Sequence, residues 1–180
     1  MIIAKEKRRS NIAEYIIYMW HVEDLVRALN FDIEKIKQNI VDGFKLDAET
    51  SKTIIEWYES IIQMMRSEGI TEFGHLQMIK NTLAEVSEVH QLLLQSGKEQ
   101  AYMRLFFQAK PNITAFRSKI NNAEAPDIEV CINALYSLLL MKMSGKEVST
   151  PTMESMETFS DLLAMLSVKY KEWEDGILEI

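Results

Sequence analysis

A single cysteine in 180 residues has nothing to pair with inside the chain, so Cys131 rules out a disulfide-stapled scaffold and fits a reducing compartment. Three prolines and six glycines are too few for a collagen-like repeat or a Pro/Gly-rich linker. The longest uncharged stretch, residues 130–141, falls well short of the roughly 20 apolar residues that a membrane-spanning helix needs. Positive charge is also scarce. The chain carries a net charge of −7, and residues 126–180 alone hold ten acidic and four basic side chains. Nucleic-acid affinity grows with the number of phosphates that Lys and Arg neutralise, so DNA and RNA are not expected partners. P-loop, dinucleotide-fingerprint, His-Glu-x-x-His and paired-cysteine motifs are all missing, as is any catalytic Ser, His and Asp order. No cofactor is expected.

The chain does have apolar residues spaced three and four apart from end to end, and they make up 47% of it on a hydrophobic count. No window alternates with period two for long enough to argue a strand, so the fold class is all-α. At about 150 residues per domain, residues 1–180 form one helical domain. Six to seven helices are expected. Asn11 caps the first, with Ile12, Tyr15, Ile16, Met19 and Val22 on its apolar stripe. Asp32 caps a short segment that stops at Gly43, and Asp47 opens a long helix that ends at Gly69. Thr71 is expected to cap the next, whose seam of Leu76, Ile79, Leu83, Val86, His90 and Leu93 closes at Gly97.

A further helix starts near Lys98 and meets Pro111. Its seam of Tyr102, Phe106, Ala109, Ile113, Phe116 and Ile120 keeps phase across the proline, which argues for one kinked helix or two nearly collinear ones. A new helix with Pro111 as its first residue is the alternative. Asn121 to Ala125 reads as a loop. Pro126 starts a helix to about Ser144 that is apolar almost all round and should be the central, most enclosed element. Thr150 and Pro151 restart the chain as N-cap and first helical residue of a last helix finishing near Gly176.

Several residue groups are candidates for chemistry. Glu14, Tyr18, His21 and Asp24 fall on one face of the first helix, where a carboxylate, a phenol and an imidazole could bind a polar ligand or move a proton. The plainer reading is a solvated helix face. Glu72 and His75 have the Glu-x-x-His spacing of carboxylate-bridged metal sites, and His90 lies further along the same expected helix. Such a site needs the pair twice, and it occurs once, so Glu72 reads better as a carboxylate near the positive helix end. His90 reads better as a core-edge histidine bonded to a neighbour. Glu129, Asn133 and Ser137 form the one polar stripe on the greasy helix, lining a small polar pocket or marking where that helix meets water.

Eleven methionines are many for this length. Met64, Met141, Met143 and Met165 flank seams and widen apolar faces, which suggests an interface with a protein partner or a second copy. Lys5, Lys7, Arg8 and Arg9 precede a short apolar run, but Glu14 and His21 interrupt it and no small-residue cleavage site follows. That cluster could instead rest on a membrane surface, the weakest of the readings.

The segments NIAEYIIYMWHVEDLVRA (11–28), FGHLQMIKNTLAEVSEVHQLLL (73–94), INALYSLLLMKMSGKEVSTPTME and LSVKY resemble a domain-of-unknown-function family of uncharacterised all-helical bacterial proteins. The resemblance implies a helical, cytoplasmic, bacterial protein and transfers no activity or site residue. The function expected on the residues themselves is non-enzymatic, through protein contacts. The alternative is a small-molecule- or metal-binding helical bundle that is an enzyme or a binder, using Glu14, Tyr18, His21 and Asp24, or Glu72 with His75 and His90.

Overall fold

The computed structural model describes residues 2–120 and 124–179. Those residues form eight α-helices and no strand: α1 (Ile2–Ser10), α2 (Ile12–Ala28), α3 (Ile33–Ile36), α4 (Ala48–Ser67), α5 (Gln77–Ser96), α6 (Gln100–Arg117), α7 (Asp127–Met143) and α8 (Thr150–Glu174). None is long and apolar enough to cross a membrane. The all-α class stands, with one helix more than expected. The extra one is α1, whose basic residues read from sequence as a leader, which fails, or a membrane-surface contact, and not as a helix. Lys7, Arg8 and Arg9 occupy its last turn, where the negative end of the helix dipole favours cations. Lys7 and Arg8 are also turned onto Glu14 and Glu174, at 2.7 and 3.1 Å. Asn11 then breaks the helix in an extended conformation and caps α2 by accepting from Glu14 N.

Local chemistry sets most helix ends where the residue types place them. Asp32 accepts from Glu34 N and Lys35 N at the start of α3, which runs on through a π-turn, Lys37–Val41, and a short tight turn, Asp42–Phe44. The stop expected at Gly43 falls instead at Lys45, whose φ of 50° reverses the chain. Asp47 caps α4 through Thr50 N, and Gly69 follows its end at φ 69°. Helix α6 continues through Pro111 as one element, but it ends before Ile120. The loop expected over 121–125 lies, for 121–123, outside the described residues. Ser149, rather than Thr150, is the N-cap of α8.

Packing centres on α7 and α8, each of which touches α2, α5 and α6. One continuous core runs from Ala4 on α1 to Tyr170 on α8, with Ile16, Val86, Ile113 and Ile132 completely buried in it. Enclosure of α7 is only partial. Ile128, Val130, Cys131, Ile132, Ala134 and Tyr136 are buried in its first half, but Ser137, Leu140 and Met143 in its second half are exposed. Asp127 ties the start of α7 to α6 through Lys110 and Arg117, at 2.9 and 2.5 Å. Burial acts to raise the Asp127 carboxyl, and those two cations outweigh it and hold the group below the usual carboxylate range.

His90 is sealed in the core, with its Nδ1 2.5 Å from the Tyr102 hydroxyl. Burial pushes its pKa down to about 4 from an ordinary 6.5. The unfolded chain therefore binds a proton at His90 near pH 6.5, while the folded chain does not until about pH 4. Stability falls as pH drops through that window, by at most about 3 kcal/mol from this group. Urea unfolding of His90→Leu should lose less stability than wild type between about pH 7 and about pH 4. Equal losses would contradict the assignment.

Candidate functional site

The site grows from a turn of α2 on which Trp20, Glu23, Asp24 and Arg27 lie at i, i+3, i+4 and i+7, hence on one face. This face meets the non-helical segment 71–76 that leads into α5. Thr71 does not cap α5, which starts six residues later, and Gln77 has no local capping side chain before it. Carboxylates from elsewhere do that work. Glu23 Oε1 accepts from Leu76 N at 3.0 Å and Glu68 Oε2 accepts from Gln77 N at 2.7 Å. Arg27 donates to the carbonyl of Ile70 at 3.2 Å and to that of Gly74, whose φ of 92° turns the segment back.

Glu23 is completely buried, and its second oxygen lies 2.6 Å from His75 Nδ1. A carboxylate can only accept, so Nδ1 carries the proton and Nε2 is the ring's outward nitrogen. The imidazole stacks on Trp20 with centroids 4.3 Å apart and planes 15° from parallel. Trp20 in turn meets Tyr136 edge-on at 5.8 Å. Tyr136 donates to Asp24, which pairs with Arg27 at 2.8 Å. Burial, then the Asp24 carboxylate, hold the Tyr136 phenol far above its ordinary range, so it stays a donor.

His75 is one third exposed and opens onto a cleft of about 510 Å³ between α2, α5 and α7. That volume lies within the range of small-molecule sites. Trp20 and Ile79 form apolar floor, Leu83 and Pro126 apolar wall, and Lys80, Ser87, Glu129 and Asn133 bring polar groups. The arrangement presents an oriented imidazole on an aromatic platform beside an apolar hollow. It can hold a small molecule and exchange a hydrogen bond with it.

Residues 1–176 match the family described as a domain of unknown function, DUF4924. The chain belongs to that family. No curated protein matches it, and no solved structure does.

The residues singled out from sequence in this DUF4924 chain are dispersed. Glu14 is exposed and paired with Lys7 of α1. Tyr18 is half-buried beside Tyr58, and burial first, then that neighbour, raise its phenol. Burial lowers the His21 imidazole against the pull of Asp24. Only Asp24 joins the site, through Tyr136 and Arg27, and none of the four lines the cleft. Glu72 is exposed on the segment before α5, so Glu72 and His75 do not share a helix turn. His75 faces Glu23 and His90 faces Tyr102, on separate parts of the fold. Among the described residues no three His, Cys, Asp or Glu side chains gather as a metal cluster. Glu129 and Asn133 line the cleft, whereas Ser137 is exposed and outside it.

Sequence reasoning missed Trp20, Glu23, Arg27 and Tyr136. The signal available was the i, i+3, i+4, i+7 spacing on α2, which was broken up by grouping Asp24 with His21. Replacing Glu23 with Ala leaves the Leu76 amide and His75 without their buried acceptor, and should lower unfolding free energy by about 3 kcal/mol. Urea denaturation measures it, and a loss below about 0.5 kcal/mol, the scale of an ordinary surface change, would mean that Glu23 does not organise this region.

Proposed function

We propose that this protein binds a small organic molecule in the cleft between α2, α5 and α7, with His75 as its polar anchor. The carrying observation is the buried Glu23 carboxylate, which orients a partly exposed imidazole that lines the hollow. A histidine needed only for packing has no reason to keep one nitrogen open to a cleft while the other is fixed by a buried charge. The reading supports a binder ahead of an enzyme, since the Ser87 hydroxyl in the same cleft is bonded to Leu83 O and the imidazole to Glu23, not to each other. We take the protein to be one helical domain, in the cytoplasm of a bacterial cell, which suits its lone thiol.

Contact with a protein partner or a second copy of the chain is a second reading. Its support is the uncovered end of α7, where Leu140 is 40% and Met143 60% exposed. Light scattering tests it: a dimer that Leu140→Glu with Met143→Glu dissociates would support it, and a monomer at every concentration would remove self-association.

The cleft itself is tested by blocking it. Ala84 is exposed on the cleft wall, so Ala84→Trp puts bulk into the hollow while leaving Glu23, His75 and the other polar lining residues unsubstituted. In a fragment panel followed by amide chemical shifts, fragments should perturb the surroundings of Trp20 and His75, and Ala84→Trp should weaken them at least about tenfold. Fragments that bind both chains equally, or none that reach the cleft, would overturn the reading.

A further inference from the structure

The ligand-binding reading leaves the chemistry of the occupant open, and the protonation pattern of the cleft narrows it. Three polar side chains on its walls each already donate one hydrogen bond within the protein. Ser87 Oγ donates to Leu83 O at 2.8 Å, Asn133 Nδ2 to Glu129 O at 3.0 Å, and His75 Nδ1 to Glu23 at 2.6 Å. What they keep for an occupant are lone pairs on the Ser87 oxygen, Asn133 Oδ1 and, in the neutral tautomer, His75 Nε2, beside one remaining Asn133 N–H.

Glu129 adds a full negative charge to the same wall. Its side chain is half-buried beside Pro126 and Asn133, and among the described residues it has neither an ion pair nor a hydrogen-bond donor. A carboxylate partly withdrawn from water in an apolar hollow is stabilised by a cation that brings its own protons. Lys80 also lines the cleft and is likewise unpaired, but it is exposed at the rim, where water already solvates it. The carboxylate therefore gains more from a counter-ion than the lysine does. Ile79, buried, and Leu83, half-buried, give the rest of the occupant an apolar surface.

We propose that the occupant is a small organic amine, with its ammonium group on Glu129 and its apolar body against Ile79 and Leu83. The proposal rests on the ligand-binding reading of the cleft. It assigns Glu129 as the counter-ion and the Asn133 and His75 acceptors as further partners for the N–H groups.

Phenylethylamine, phenylacetate and phenylethanol share one apolar body and differ in charge, which makes them suitable probes for the full-length chain. Titrations followed by amide chemical shifts on α5 and α7 should show the amine binding about tenfold tighter than the alcohol, and the carboxylate weakest. Glu129→Gln should bring the amine to the level of the alcohol and leave the alcohol unchanged. Phenylacetate binding tightest, or Glu129→Gln leaving the amine untouched, would overturn the amine assignment. If the alcohol and carboxylate bind and Ala84→Trp expels them while the amine does not bind, the cleft remains a ligand site and only the amine falls. If none of the three binds, both fall.

Discussion

A carboxylate held entirely away from water is tolerable only when each of its oxygens has a donor, and Glu23 meets that condition through the Leu76 amide and the His75 ring. Much of the local architecture follows from it. The chain between α4 and α5 has no helix of its own, and α5 has no capping side chain beside its first residue. Glu23 and Glu68 stand in for that cap from other helices, and Arg27 takes the carbonyls of the same segment. One helix face thus fixes where α5 begins. Because α5 forms a wall of the cleft, the same contacts determine the shape of the hollow and which way its imidazole points.

Elements governed by local chemistry were readable from residue order. Asn11, Asp32 and Asp47 each bond the amides that an N-cap should bond, and Gly69 and Gly97 adopt the positive φ that a helix stop requires. The seam through Pro111 kept its phase because the helix stays continuous there. Elements governed by tertiary contacts were not readable. Thr71 looks like a cap, and it lost to carboxylates 48 and 3 positions before it in the chain, at Glu23 and Glu68. The apolar character of α7 forecast burial on every side, yet burial needs a neighbour on each face, and among the described residues nothing buries Leu140 and Met143.

The candidate site shows the same division more sharply. His75 was singled out for a spacing to Glu72 that the fold does not use, and its real partner is 52 residues away. Asp24 was grouped with His21 and Glu14 on a shared helix face, while its contacts run to Tyr136, 112 residues on. A single sequence records which residues share a turn of helix. It does not record which turn faces which, and a site assembled from α2, α7 and the approach to α5 depends on that second kind of information. Membership of DUF4924, a domain of unknown function, supplies no chemistry for the cleft. The chemistry proposed here comes from the direction of a few protons.

That direction can be observed. Long-range nitrogen–proton correlation spectra of the histidine rings in alkaline buffer report which ring nitrogen of His75 carries the proton. A buried Glu23 carboxylate accepting from it predicts a single tautomer, with Nδ1 protonated, slow to exchange and shifted far downfield, and Nε2 bare. A mixture of tautomers, or the proton on Nε2 as in most free histidine, would mean that Glu23 does not hold the ring, and the account of the cleft built on that contact would fail.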